Sequence, residues 1–156
     1  GVVAALFGAI EFLGATSGGG DPLQPLAHLA PGKVPVSTAL PFHQVRNVAE
    51  LEAALSNPGK PVMLDFYADW CVSCKEMERF TFSDPDIQRR MSAALLLKAD
   101  VTRNSAEERE LLRRFKLFGP PGTVFFDAQG RELHALRVIG FQSSERFGRT
   151  LSAAGL

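Results

Sequence analysis

The chain has 156 residues, and 17 Lys plus Arg against 17 Asp plus Glu leave no formal net charge. That length fits one domain with a real apolar core, and the charge balance argues against nucleic acid, since no basic excess exists to neutralise phosphates. Two cysteines are too few for a disulfide-scaffolded mini-protein.

Residues 1–16, GVVAALFGAIEFLGAT, are apolar except for Glu11. The stretch is shorter than the roughly 20 residues a membrane-spanning helix needs, and it lacks the charged leading segment of a signal peptide. It is read as the end of a transmembrane helix that begins outside the sequence, in keeping with a first residue that is Gly rather than Met. The competing reading is an apolar helix packed on the domain, and Glu11 speaks for it. Residues 17–42 carry irregularly spaced Gly and Pro and read as a tether. Leu23, Leu26 and Leu29, three apart, leave open an ordered arm instead.

Residues 43–156 have the texture of a compact domain. HQV forms a short leading strand, and NVAELEAALSN a helix capped by Asn47 with Val48, Leu51 and Leu55 on one face. PVMLDFYA is an almost unbroken apolar run of strand length, as expected of a central strand buried on both faces. A helix is expected from about Cys71 through KEMERF, and a short second one at DPDIQRRM. ALLLKADV is another buried strand, and SAEERELLRRF a helix opened by a Ser105/Glu108 capping box. GTVFFD, the turn AQG and ELHALRVIGF predict a closing hairpin, and SSERFGRTLSAAG a last helix. Strands alternating with helices predict an α/β domain with a central mixed sheet flanked by helices.

Both cysteines lie in WCVSC, as Cys71 and Cys74. A zinc site is a poor reading, because structural zinc takes four ligands and His28, His43 and His134 are all distant in sequence. A purely structural bridge three residues apart closes too small a loop to stabilise much. A redox pair between a buried strand and a helix has a mechanism: the helix N-terminus favours a thiolate on Cys71. Cys71 is then the exposed nucleophile, and Cys74, one turn on, is the resolving thiol. Trp70 either covers one flank of the sulfurs or is a large core side chain.

Asp65 stands among apolar neighbours six residues before Cys71, so burial should raise its pKa. It is read as the group that exchanges a proton with Cys74, against the blander reading of a buried Asp held by backbone donors. Glu78 follows Cys74 by four residues and Cys71 by seven, so all three can share a helix face. There it would oppose thiolate formation, or simply be a solvated charge. Asp69, Lys75, Glu76 and Arg79 read as surface charges. In FGPPGTVFF two prolines precede a strand, and Pro121 is the candidate for a cis bond. Pro120 before it has no N–H to offer a bound partner.

The stretches VMLDFYADWCVSCKEMERFTFSD and GPPGTVFFDAQGRE, with the order of elements between them, resemble the thioredoxin superfamily. More closely, they resemble the C-terminal domain of the DsbD family of thiol:disulfide interchange proteins. The likeness covers roughly 43–156, and residues 1–30 resemble that family's last membrane helix and linker. It implies a thioredoxin fold preceded by an apolar segment and a linker. The nucleophile would be Cys71, the resolving cysteine Cys74, the tuning acids Asp65 and Glu78, and the cis-proline Pro121. The redox group would be the Cys71–Cys74 disulfide, with no cofactor and no metal. The implied activity is protein-disulfide reduction at the bacterial inner membrane, with the domain tethered there and facing the periplasm. Electrons would come from a membrane domain of the same protein, fed by thioredoxin. They would leave to its N-terminal domain, which serves disulfide isomerases and cytochrome c maturation. The alternative is a stand-alone membrane-anchored thioredoxin-like reductase of cytochrome c maturation. Val72-Ser73 between the cysteines, where thioredoxin has Gly-Pro, bars copying thioredoxin's potential across. A monomer is the default.

Overall fold

The computed structural model describes Val2 and residues 40–156. The expected membrane-helix end, apart from Val2, and residues 17–39 of the expected tether lie outside the described residues. Among the described residues no helix is long and apolar enough to cross a membrane.

The elements follow the apolar periodicity of the sequence. They are β1 (His43–Gln44), α1 (Val48–Leu55), β2 (Val62–Tyr67), α2 (Val72–Glu76) and a π-helical turn (Met77–Thr81). Then come α3 (Pro85–Met91), β3 (Leu95–Asp100), α4 (Ala106–Arg114), β4 (Gly122–Phe126), β5 (Val138–Ile139) and α5 (Ser144–Ala153). The sheet runs β1-β3-β2-β4-β5. β1, β3 and β2 are parallel, while β4 runs antiparallel to β2 and β5 antiparallel to β4. All six residues of β2 are buried, because a strand with neighbours on both sides and helices on both faces has no solvent face to supply with polar residues.

Alternation along the strands feeds two apolar clusters. Val62, Leu64 and Phe66 join Leu97, Ala99, Val124 and Phe126, with Leu51 and Leu55 of α1 and Leu111 and Leu112 of α4. Met63, Leu96 and Phe125 face the other way, toward Ile87 and Met91 of α3 and Phe147 and Leu151 of α5. Fully burying one such side chain contributes about 1.5–3 kcal/mol. The helix that starts after Cys71 joins the two: Cys71 and Cys74 belong to the first cluster and Met77 to the second.

The caps read from the sequence are made. Asn47 Oδ1 accepts from Glu50 N–H at 2.8 Å. The Ser105 hydroxyl accepts from Glu108 N–H, and the Glu108 carboxylate from Ser105 N–H. Asp84 caps α3 with Pro85 in its first turn. Leu40 and Phe42, from the end of the expected tether, pack against the second cluster.

Two local expectations change. The helix expected from 71 through 80 widens at Met77, where Phe82 N–H reaches back five residues to Met77 O at 2.8 Å. The fourth strand shrinks to Val138–Ile139. Glu132 bridges Phe126 and Leu133 N–H donates to Phe125 O, but residues 134–136 then form a 3-10 turn. The reason is charge: Arg137 donates to the Glu132 carboxylate and to Phe115 O. Its side chain is thereby pulled along the chain rather than across a ladder, and Leu133 and Leu136 turn onto the second cluster.

Before that turn, Asp127 Oδ1 gathers the N–H groups of Gln129 and Arg131, and Gly130 has φ +78°. A Cβ on Gly130 would stand 2.0 Å from Leu55 O, whereas one on Gly59 (φ +68°) would meet nothing within 4 Å. Gly59→Ala should therefore cost only the left-handed backbone penalty, about 1–2 kcal/mol. Gly130→Ala should cost clearly more in urea unfolding, and equal losses would mean the turn relaxes away from α1.

Candidate active site

The tight turn after β2 delivers the cysteines. Cys71 N–H donates to Ala68 O at 3.1 Å, and Cys71 is the N-cap of α2 in extended conformation. Its Sγ accepts the Cys74 N–H at 3.1 Å. The N-cap position gives the sulfur an otherwise unpaired helix donor, which favours negative charge on it. Cys71 and Cys74 are joined as a disulfide with an S–S distance of 2.16 Å.

Cys71 is less open than the sequence reading expects, at 5% exposure beside 3% for Cys74. Its neighbours carry the exposure instead: Trp70 is 60% and Val72 72% exposed. Trp70 is not a core side chain, and its ring is fixed by Nε1–H donating to Thr102 O at 3.1 Å. The Asp69 N–H donates to Thr102 Oγ1 at 2.9 Å, so the loop after β3 clamps this turn from one side.

Cys74 Sγ lies 3.9 Å from Phe66 O, on the residue that follows Asp65. The sheet register then places the proline turn. Phe66 pairs with Gly122, so Pro120 and Pro121 enter β4 at the sheet end where β2 leaves for Cys71. The Pro120–Pro121 peptide is cis, as expected for Pro121, and Pro121 O accepts from Gly140 N–H at 3.1 Å. Phe118 just before this turn is fully exposed, and Ile139 and Phe141 after it are partly so. Trp70 and Val72 flank the disulfide, and these three line the neighbouring proline turn.

Asp65 is buried at 6% exposure, between Lys98 of β3 and Thr123 of β4 in register. Its pKa is pushed up from 3.8 to about 7. Burial is the largest cause, and the Glu78 carboxylate adds to it. Lys98 and the Thr123 hydroxyl pull the other way. Lys98 Nζ donates to Glu78 Oε1 at 3.1 Å, so one ammonium serves two carboxylates. Glu78 reaches this group from the π-helical turn and points toward the sheet, so it is not merely a solvated charge.

Sequence reasoning missed Lys98. The signal was present: a lysine in the apolar run ALLLKADV needs a carboxylate, and the apolar run VMLDFY supplies one. Asp69, Lys75, Glu76 and Arg79 are exposed as expected. Lys75 also donates to the Tyr67 hydroxyl, which donates to Asp69 at 3.1 Å. Among the described residues no group of three or more His, Cys, Asp or Glu side chains is arranged to hold a metal.

Comparison with known proteins gives a consistent picture. A family model described as Thioredoxin-like domain matches residues 49–155. The thiol:disulfide interchange protein DsbD of Ralstonia nicotianae is 49% identical over 160 residues, spanning 99% of this chain and 26% of that protein. DsbD of Escherichia coli is 47% identical over 131 residues, 83% of this chain and 23% of that protein. The chain thus spans about a quarter of the length of the curated relatives it matches. Among solved structures, the oxidised C-terminal domain of Neisseria meningitidis DsbD superposes with a TM-score of 0.60 at 34% identity. That match covers 72% of this chain and 99% of that one. A Thermus thermophilus thioredoxin superposes with a TM-score of 0.58 at 25% identity, covering 74% and 88%.

The raised pKa of Asp65 has a consequence for stability. A carboxyl that holds its proton up to about pH 7 when folded, but only to 3.8 when unfolded, makes the folded state bind more protons between those values. Its contribution is therefore full below 3.8 and lost as pH rises through 7. Stability should fall by up to about 4 kcal/mol between pH 4 and 8 from this group. Asp65→Asn should flatten that fall and be the more stable form at pH 8. Parallel urea-stability curves for the two proteins would contradict the assignment.

Proposed function

This chain belongs to the thioredoxin-like domain family, in the branch formed by the C-terminal domains of DsbD thiol:disulfide interchange proteins, and is a disulfide oxidoreductase domain; we propose that it relays electron pairs from a membrane domain to periplasmic acceptors. The observation that carries this reading is the Cys71–Cys74 disulfide at a helix N-cap, with Asp65 on the strand that feeds it and Lys98 and Glu78 beside that acid.

In the first half-reaction a donor dithiol attacks the disulfide. The S–S bond of Cys71–Cys74 breaks, the donor becomes a disulfide, and two electrons and two protons come to the pair. In the second, the Cys71 thiolate attacks an acceptor disulfide and expels one acceptor thiolate, leaving a mixed disulfide. Cys74 then loses its proton and attacks Cys71 Sγ, which releases the acceptor's second thiolate and restores the starting bond. The N-cap hydrogen bond from Cys74 N–H stabilises Cys71 whenever it is anionic. Asp65, whose pKa near 7 suits proton transfer at neutral pH, takes the Cys74 proton, and Glu78 tunes both acid and dithiol through Lys98. Trp70, with Pro120 and Pro121 across the sheet end, forms the walls against which the partner's cysteine approaches. Because Pro120 offers no N–H, partner contacts there are few and docking is short-lived.

The apolar stretch 1–16 as a membrane-helix end and the Gly/Pro-rich stretch up to residue 39 as the tether support a domain held at the bacterial inner membrane and facing the periplasm. The donor and acceptor are then other domains of the same protein, and thioredoxin, disulfide isomerases and cytochrome c maturation lie further along the route. The alternative of a stand-alone anchored reductase of cytochrome c maturation has less support, because the Ralstonia DsbD alignment extends over 99% of this chain. Cys74→Ser should accumulate mixed disulfides through Cys71, while Cys71→Ser should accumulate none. Partners identified by mass spectrometry as a membrane donor and a periplasmic acceptor would bear out the relay. Capture of unrelated secreted proteins alone would point to an oxidase or isomerase instead.

A further inference from the structure

The segment that leads into the domain touches the lysine beside the buried acid. Phe42 is half-buried, its ring 6.4 Å from that of Phe82. Lys98 Nζ lies 4.8 Å from the centroid of the Phe42 ring and 4.6 Å from that of Tyr67. Both distances are those at which a ring attracts a cation. The same ammonium donates to Glu78 and is the cation that acts on Asp65. The backbone is fixed at the same place: Gln44 pairs with Lys98 across β1 and β3, and Val45 N–H donates to Lys98 O at 2.9 Å. Phe42 is thus two residues from a strand contact to the lysine its ring holds.

We propose that Phe42 is a positioning residue of the redox centre: with Tyr67 it holds the Lys98 ammonium against Glu78 on the strand next to Asp65, so that seating of residues 40–44 sets the charge on Asp65. A lysine side chain has four freely turning bonds and strong hydration, and an ammonium that is free to swing outward spends less time beside a buried carboxylate. The two rings and the Glu78 carboxylate hold the ammonium on this face, its side chain only 16% exposed. The other charged group that acts on Asp65 is Glu78 on the π-helical turn, while Tyr67 ends β2, Asp69 lies in the turn beyond it, and Lys75 on α2 has its Nζ engaged by the Tyr67 hydroxyl. β4 contributes the uncharged Thr123, and α3 and α5 contribute apolar side chains to the cluster on this face. Lys98 is therefore the cation on which the balance at Asp65 depends, and Phe42 is the part of its cage that belongs to the leading segment. The expected effect on exchange rests on the proton role proposed for Asp65, but the effect on Asp65 itself does not.

The test compares Phe42→Leu, which keeps apolar cover and removes the ring face, with Phe42→Trp, which keeps a ring. Lys98→Met sets the scale of losing the cation outright. The Asp65 carboxyl is titrated by carbon NMR in the oxidised full chain, and thermal unfolding checks that each variant is folded. Less cation near a carboxylate disfavours its charged form, so Phe42→Leu should raise the Asp65 midpoint by about half a pH unit. That rise should be smaller than the one in Lys98→Met, with Phe42→Trp unchanged. An unmoved midpoint in Phe42→Leu, or an equal shift in Phe42→Trp, would overturn the proposal. So would a lowered midpoint, which would make Phe42 a mere barrier to water. Should Phe42→Leu not fold, Phe42→Met is read by the same criteria. The pH profile of disulfide exchange in the same variants tests the other reading. A midpoint that moves without the profile following would leave Phe42 in its role and remove Asp65 from proton transfer.

Discussion

A carboxylate on a strand buried on both faces has no bulk water to stabilise its charge, and the redox end of this domain is arranged around that constraint. Asp65 is held there by the same apolar pattern that makes β2 the centre of the sheet, so it cannot reach solvent without breaking the strand. Its burial favours the neutral form, and Lys98 in the neighbouring strand offsets that only in part, because Glu78 shares the ammonium. The outcome is an acid near neutrality, poised to lose or gain a proton at ordinary pH. Removing the lysine would leave a locked neutral acid, and removing the second carboxylate a more readily ionised one.

The disulfide follows from the same strand. β2 ends at Tyr67, the chain turns through Ala68 to Trp70, and Cys71 caps the next helix, so the sulfurs are fixed by the hydrogen bonds of the turn and the cap. Phe66 O, one residue beyond Asp65, lies against Cys74. That proximity along a rigid strand is the physical basis for coupling acid to thiol. The helix then crosses the end of the sheet and ties both clusters together, and its widening at Met77 accompanies the turn of Glu78 toward Lys98. Exposed apolar side chains flank the disulfide and line the neighbouring proline turn, a surface suited to brief contact with another protein.

Much of this was legible in the sequence because it depends on local pattern. The unbroken apolar run around Asp65 marked a central strand, the Ser105 and Glu108 spacing marked a cap, and paired prolines before a strand marked the cis turn. What was not legible depends on which side chains meet across the sheet. Lys98 stood in plain view, yet its significance needs the parallel register that sets it beside Asp65. Phe42 reads in the sequence as the end of a tether, and only the β1 pairing places it near that lysine. The fourth strand was overread because alternation in ELHALRVIGF does not reveal that Arg137 is drawn back to Glu132 and Phe115 O. The openness expected of Cys71 follows from its position at a helix start, whereas the surrounding cluster closes over it.

Energetic coupling between Asp65 and the dithiol is the central requirement, and its direct measurement is the titration of the Asp65 carboxyl in the oxidised and in the reduced domain. If the acid and Cys74 exchange a proton, linkage requires the carboxyl to feel the change at the sulfurs. Its midpoint should then differ between the two redox states by more than about half a pH unit, or the reduced form should titrate in two coupled steps. Superimposable curves in the two states would contradict it, leaving Asp65 a buried acid without a part in the exchange.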